Sequence, residues 1–282
     1  MKTLTRLAEM RAAAADLRAQ GKRIGFVPTI GALHEGHLSL VRRAKQQGDA
    51  TVVSIFVNPT QFGPGEDFER YPRNLHGDSA LLEPLGVDFL FAPAAEEMYP
   101  PDFQTYVTVD GVSTSLEGQS RPGHFRGVAT VVLKLFQIVQ PDIALFGRKD
   151  AQQCAVVQQL LRDVNLPVAI EVCPIVREPD GLAMSSRNAY LRTEERSAAR
   201  VLFLSLCQAR DLIAGGERRS EHIVARMRQL IAGEPRARID YIEVVDPNRF
   251  TPKTSVDGRS LIALAVRVGG TRLIDNLLVE EH

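Results

Sequence analysis

The chain of 282 residues is expected to fold as an α/β protein, a Rossmann-like doubly wound parallel sheet joined to a smaller α+β C-terminal domain. Three observations predict this. Short apolar runs alternate with helical stretches up to Pro174, the alternation then gives way to two helices and three clustered strand-like runs, and two of the early apolar runs end in glycine turns that open helices.

Residues 3–20 place Leu4, Leu7 and Leu17 among good helix formers and stop at Gly21, which predicts the first helix. Ile24, Gly25, Phe26 and Val27 follow without alternation and end at Pro28, the pattern of a strand buried on both faces. Runs of the same kind at 51–57, 87–91, 143–146 and 168–172 predict further parallel strands, and 37–47, 74–85, 127–139 and 150–164 predict the helices between them. Ligands of such a sheet sit beyond the carboxyl ends of its strands, so the loops after strands are where chemistry is expected. Residues 193–214 and 220–231 then read as helices and 239–245, 260–268 and 271–278 as strands, which divides the chain into domains 1–175 and 176–282.

Composition narrows the function. Lys plus Arg and Asp plus Glu each total 34, so the formal charge is zero and no polyanion such as nucleic acid is an expected partner. Cys154, Cys173 and Cys207 are odd in number and lack a CxxC spacing, which reads as reduced packing residues in a cytoplasmic protein. No segment approaches the ~20 apolar residues of a membrane span, and the alanine-rich, charged start does not resemble an export signal.

The segment Pro28, Thr29, Ile30, Gly31, Ala32, Leu33, His34, Glu35, Gly36, His37 leaves a strand, turns through two glycines and enters a helix. Free backbone N–H groups and the helix dipole make such a junction attractive to anions, and the glycines let a phosphate approach the main chain. His34 and His37, three apart, share one edge of a helical turn and can reach the same phosphate. Zinc binding by this pair and an ordinary capping role are the competing readings; zinc lacks further nearby ligands.

A second turn, Gly147, Arg148, Lys149, Asp150, Ala151, Gln152, Gln153, also follows a strand, with Lys149 and Gln153 on one helical face. Its lysine can neutralise phosphate oxygens, or the segment is merely a solvated helix start. A loop with Met184, Ser185, Ser186 and Arg187 lies just past the domain boundary and can close on a triphosphate. Asn58 and Gln61 after the second strand can hold a small hydroxy acid, and 116–126, with Glu117, Arg121, His124 and Arg126, reads as a long adaptable lid loop.

With these motifs in this order, the chain resembles the bacterial pantothenate synthetases, nucleotidyltransferase relatives with a HIGH motif. The resemblance implies an ATP-dependent ligase that condenses (R)-pantoate with β-alanine through a pantoyl-adenylate, using Mg²⁺ and releasing AMP and pyrophosphate, in a homodimer. It makes the first domain the nucleotide- and pantoate-binding unit and the second a lid. It assigns His37, His34, Lys149 and Arg187 to catalysis. ATP would meet Ile30, Gly31, Ala32, Leu33, His34, Glu35, Gly36 and His37, then Gly147, Arg148, Lys149 and Asp150, and finally Val176, Met184, Ser185, Ser186 and Arg187. Gln61, Gln153, Asn58 and Arg121 would hold pantoate and β-alanine, with Tyr71 nearby. Ile30 replaces the usual methionine of these proteins and Arg148 their usual glutamate or glutamine. A cytidylyltransferase-like enzyme and a non-catalytic nucleotide-binding protein are the alternatives; the amides of Gln61 and Gln153 speak against the first, and the triad of His37, Lys149 and Arg187 against the second.

Overall fold

The computed structural model describes residues 1–280, so the last two residues of the expected second domain lie outside the described residues. Nine strands and ten α-helices follow one another among those residues. The first part runs β1 (Lys2–Leu4), α1 (Leu7–Ala19), β2 (Ile24–Thr29), α2 (Glu35–Gln47), β3 (Ala50–Ile55), α3 (Leu75–Leu82), β4 (Phe89–Phe91) and α4 (Ala95–Met98). It continues with α5 (Glu117–Ser120), α6 (His124–Val139), β5 (Ile143–Gly147), α7 (Ala151–Asp163) and β6 (Ala169–Cys173). The remainder is α8 (Thr193–Ala198), α9 (Arg200–Ala214), α10 (Ser220–Ala232), β7 (Ala237–Val245), β8 (Arg259–Val268) and β9 (Thr271–Glu280).

The first six strands form one parallel sheet in the order β1-β4-β3-β2-β5-β6. From β2 the chain winds outward through β3 to β4, then crosses back to β5 on the other side of β2 and ends at β6. The switch in direction therefore falls between β2 and β5, which pair at Gly25 with Ile143 and Phe26 with Ala144. A parallel sheet covered on both faces must bury its strands throughout, and Ile24, Phe26, Val27, Val52, Val53 and Leu145 are all fully buried. The last three strands form an antiparallel sheet, β7-β8-β9, against which α9 and α10 pack through Leu202, Ile223, Met227 and Ile231.

Three expectations are corrected. The helix expected over 3–20 begins only at Leu7: residues 2–4 are the edge strand β1, whose Leu4 is buried against the sheet, and the Glu9 carboxylate accepts the backbone N–H of Arg6 at 3.2 Å to start the helix. The helix expected over 193–214 breaks into α8 and α9 at Ala199. The segment 116–126 is not an adaptable loop, since Glu117–Ser120 is helical, α6 starts at His124, and both Glu117 and His124 are buried. Buried polar groups need partners, and the partners found here pin the segment in place.

Candidate active site

The two glycine turns of the sequence leave adjacent strands, β2 and β5, at the switch point of the sheet. His34, His37, Gly147, Lys149 and Asp150 consequently line one cleft, together with Gln61, Gln153 and Ser185. A second cavity on the side of the antiparallel sheet shares Lys149, Gln153, Arg121 and Arg187 with it, so the cleft extends between the two lobes.

The paired imidazoles are built into the start of α2. His34 is the N-cap residue, and its Nδ1 accepts the backbone N–H of Gly36 at 3.2 Å; Nδ1 of His37 accepts the backbone N–H of His34 at 3.3 Å. The rings lie 4.1 Å apart between centroids. Gly36 is required because a Cβ there would stand 2.9 Å from the His34 ring. An Nδ1 that accepts leaves the proton of a neutral imidazole on Nε2, so both rings offer an Nε2–H to an anion. Burial, then the positive charge of Lys149, lowers His34 from its ordinary value to about 4. Burial, then His34 and Lys149, lowers His37 to about 3. Both are neutral hydrogen-bond donors at neutral pH rather than imidazolium acids.

Asp78, on α3, escaped the sequence reading. Its carboxylate accepts the backbone N–H of Ala32 at 2.9 Å and of Leu33 at 2.8 Å. Ala32 holds a left-handed φ of 50°, a conformation disfavoured for any residue with a Cβ, directly after Gly31 at φ 83°. The carboxylate thus fixes a strained turn. No local pattern around Asp78 marks it, because its partners lie 46 and 45 residues away.

Lys149 reaches the cleft with its Nζ 3.1 Å from the Asp150 carboxylate. The Asp150 side chain is enclosed by protein atoms on most sides yet remains 45% exposed because it faces the open cleft. Burial, the largest influence, works against its ionisation, but the charge and hydrogen bonds of Lys149 and the charge of Arg187 together hold Asp150 below the usual carboxylate range. Asn276 of β9 donates from Nδ2 to the carbonyls of Arg148 at 2.9 Å and Lys149 at 3.0 Å, which ties this turn to the antiparallel sheet.

The amide of Gln61 is oriented from behind. Asn58 donates from Nδ2 to Gln61 Oε1 at 3.1 Å and to the Gly127 carbonyl at 3.2 Å, and its Oδ1 accepts from Thr60. A Cβ on Gly127 would come 2.3 Å from the Thr60 carbonyl, so α6 can approach this turn only with glycine. His124 donates from Nδ1 to the Gln61 carbonyl at 2.9 Å, while its Nε2 accepts from Arg121 at 3.1 Å. Burial, then Arg121, lowers His124 to about 4, in keeping with a neutral ring. The side chain of Gln153 makes no hydrogen bond to protein among the described residues, which leaves its amide for a ligand.

The loop after β6 docks on the first turn: Ser186 Oγ donates to the Ala32 carbonyl at 3.1 Å and accepts from the Tyr71 hydroxyl at 3.2 Å. Ile30, Val176, Met184, Ser185 and Ser186 line the cleft with the histidines. Arg187 lines it as well, but both its Nε and Nη2 donate to Asp67, at 2.9 and 2.8 Å. Four carboxylates around the cleft are each held by an arginine, namely Glu66 by Arg121, Asp67 by Arg187, Glu117 by Arg272 and Asp275 by Arg177.

Several expected contacts point elsewhere. Asn58 lies behind Gln61 with its amide fully engaged, so it positions that residue instead of facing the cleft. The N–H groups of Ala32 and Leu33 are taken up by Asp78, and Glu35 faces outward to Arg42. Arg148 lines a separate cavity on the far side of α7. Among the described residues no group of three or more His, Cys, Asp or Glu is arranged for a metal, and His34 and His37 commit their Nδ1 atoms to backbone. Mg²⁺ therefore fits as a companion of phosphate oxygens, with Asp150 the cleft carboxylate that no arginine holds and that could approach it.

Residues 2–278 match the family model described as pantoate-beta-alanine ligase. The chain is 56% identical over 280 residues to the pantothenate synthetase of Caldicellulosiruptor saccharolyticus, covering 99% of this chain and 100% of the relative. The crystal structure of pantothenate synthetase from Thermus thermophilus superposes with a TM-score of 0.95 at 46% identity, with 100% of both chains covered. That of the Francisella tularensis pantoate-beta-alanine ligase, complexed with beta-gamma ATP and beta-alanine, superposes with a TM-score of 0.83 at 37% identity over 99% of this chain and 97% of that one.

Proposed function

The chain belongs to the pantoate-beta-alanine ligase family, and from that premise we propose that its cleft joins pantoate to β-alanine with cleavage of ATP. The observation that carries the proposal is the convergence of the His34/His37 edge and Lys149 on one cleft that also holds the free amide of Gln153 and the buttressed amide of Gln61. A triphosphate needs cationic and N–H donors, and a small hydroxy acid needs a few directed amides; both sets stand side by side.

In the first step the pantoate carboxylate attacks the α-phosphorus of ATP, the bond to the β-phosphate oxygen breaks, and pyrophosphate leaves. The Nε2–H groups of His34 and His37 and the ammonium of Lys149 stabilise the charge that grows on phosphate oxygens, in a site where these donors are already oriented. Arg187 joins them when phosphate competes with Asp67 for its guanidinium. Mg²⁺, bound to the phosphates beside Asp150, would supply further charge neutralisation. In the second step the amine of β-alanine attacks the acyl carbon of the mixed anhydride, the acyl–phosphate bond breaks, and AMP leaves with the proton balance met at its phosphate. Gln61 and Gln153 hold the acid in register for both steps, with residues 1–175 supplying this floor and residues 176–282 the covering lid.

Radiolabelled pyrophosphate should exchange into ATP when pantoate is present and β-alanine is absent, and Lys149→Ala should slow that exchange about 10²–10³-fold, the usual loss for one oriented charge-stabilising donor. Exchange that runs equally well without pantoate, or a Lys149→Ala enzyme of full activity, would refute the assignment.

A further inference from the structure

Asn276 reaches from β9 of the second lobe to the turn of the first lobe that carries Lys149. It is 4% exposed, and its Nδ2 donates to the carbonyl of Arg148 at 2.9 Å and to that of Lys149 at 3.0 Å. These carbonyls belong to the two peptide groups on either side of the Lys149 Cα. A peptide group is planar, so a hold on each of the two restrains both backbone torsions at Lys149, and with them the direction of its Cα–Cβ bond. Beyond that bond the lysine stem is flexible, and its ammonium can be aimed only as well as its base is held.

The whole amide is committed to this contact. Oδ1 of Asn276 is buried out of reach of solvent and accepts no hydrogen bond among the described residues, although a buried acceptor without a partner costs stability. Turning the amide over would set Oδ1 against two carbonyl oxygens, so the pair of acceptors dictates its orientation. The strand behind it is equally fixed. Asn276 pairs with Ala263 of β8, and the preceding residue, Asp275, has a side chain 1% exposed that accepts from Arg177 at 2.6 and 2.9 Å. Arg177 also donates to the Gly181 carbonyl at 3.0 Å, in the segment that leads to the 184–187 loop. Consecutive residues of β9 thus anchor both the Lys149 turn and the approach to that loop.

We propose that Asn276 is a positioning residue for Lys149, a side chain of the second lobe that aims the ammonium of the first. The inference rests on the reaction proposed above, in which that ammonium stabilises charge on the phosphate oxygens. Asn276 acts through the backbone of Lys149 and not on the substrate, so its contribution to rate disappears when the lysine does.

Two measurements test this. Pantoate-dependent pyrophosphate exchange, at saturating ATP and pantoate, is compared in the parent, Asn276→Ala, Lys149→Ala and the double variant. Misplacing a catalytic group is costly, so Asn276→Ala should slow exchange about tenfold or more in the parent, and less than about twofold where Lys149 is already alanine. Asn276→Asp keeps the shape but has no donor when ionised, and it should lose as much as the alanine variant. The second measurement needs no catalysis. The side chain of Lys149 is 20% exposed, and so is that of Lys253 in the second lobe. In competitive acetylation read by peptide mass spectrometry, Asn276→Ala should raise the rate at Lys149 about threefold or more and leave Lys253 unchanged. Equal slowing in both backgrounds, undiminished exchange in both Asn276 variants, or an acetylation rate that stays constant at Lys149 or rises equally at Lys253 overturns the proposal. A parent enzyme without pantoate-dependent exchange refutes the reaction instead, and acetylation then decides alone whether Asn276 holds the lysine.

Discussion

At the scale of single residues, the shape of the cleft depends on side chains that hold other residues in place. Asp78 is the clearest example, because one carboxylate satisfies two backbone donors and holds Ala32 in a left-handed turn. Asp78→Asn keeps the size but loses the charge and turns an amide donor toward one of the two N–H groups. Hydrogen bonds to charged groups contribute roughly 1.5–3 kcal/mol, so urea denaturation should show a loss of that order, accompanied by a higher KM for ATP. A variant with unchanged KM would mean that the turn holds its shape without the carboxylate. Asn58 and His124 act similarly on Gln61, one through the side-chain oxygen and the other through the backbone carbonyl. The glutamine and its neighbour Asn58 were legible in the sequence as polar residues after a strand; the support from His124 was not, because 63 residues separate it from the carbonyl it holds.

At the scale of elements, the short helix α5 is a junction between the two sheets. The Glu117 carboxylate accepts from Arg272 on β9 at 2.6 and 2.8 Å and from the Tyr241 hydroxyl on β7 at 2.8 Å, while its backbone N–H donates to Gln152 on α7 at 3.0 Å. Burial is the largest influence and works to raise Glu117, but the hydrogen bonds and charge of Arg272, with the Tyr241 hydroxyl and the charge of Arg121, together hold its pKa below the ordinary value. Removing one partner of a buried pair strands the other charge. Arg272→Met should therefore destabilise the protein by about 3–5 kcal/mol, whereas adding Glu117→Gln to it should restore part of the loss. Additive losses in the double variant, measured by chemical denaturation, would show that the two side chains do not depend on each other. The same junction explains why 116–126 reads as a loop in sequence: its glycines and proline are turn formers, and only the partners supplied by β7, β9 and α7 make it ordered structure.

At the scale of the whole molecule, burying three imidazoles leaves a signature in the pH dependence of stability. The unfolded chain protonates histidine at the ordinary value of 6.5, whereas the folded chain does so only near 4 at His34 and His124 and near 3 at His37. Between pH 6.5 and about 4 the unfolded state therefore binds more protons, so stability is complete above 6.5 and declines as the pH falls through this window. Urea midpoints measured from pH 7 to 5.5, above the ordinary carboxylate range, should fall steadily, and less steeply in a His37→Asn variant. A midpoint that stays constant over that range would show that these rings are not held neutral.

The alternation of strands and helices, the parallel character of the first sheet and both glycine-to-helix turns follow from sequence alone, because unalternating apolar runs and glycine-to-helix junctions are local patterns with local causes. Tertiary structure decided what those patterns face. The switch point between β2 and β5 brought His37 and Lys149 together, since neighbouring strands in a sheet need not be neighbours in the chain. It also turned Arg148 away from the cleft beside its neighbour Lys149, because the two are successive residues of the one helical turn Arg148–Asp150 and project from it in different directions. Edge pairing made a strand of Lys2–Leu4, a segment whose own residues favour helix, because β4 offered unpaired backbone groups beside it. Partner choice among charged groups is a matter of distance in space, and distance in space is what a sequence does not record.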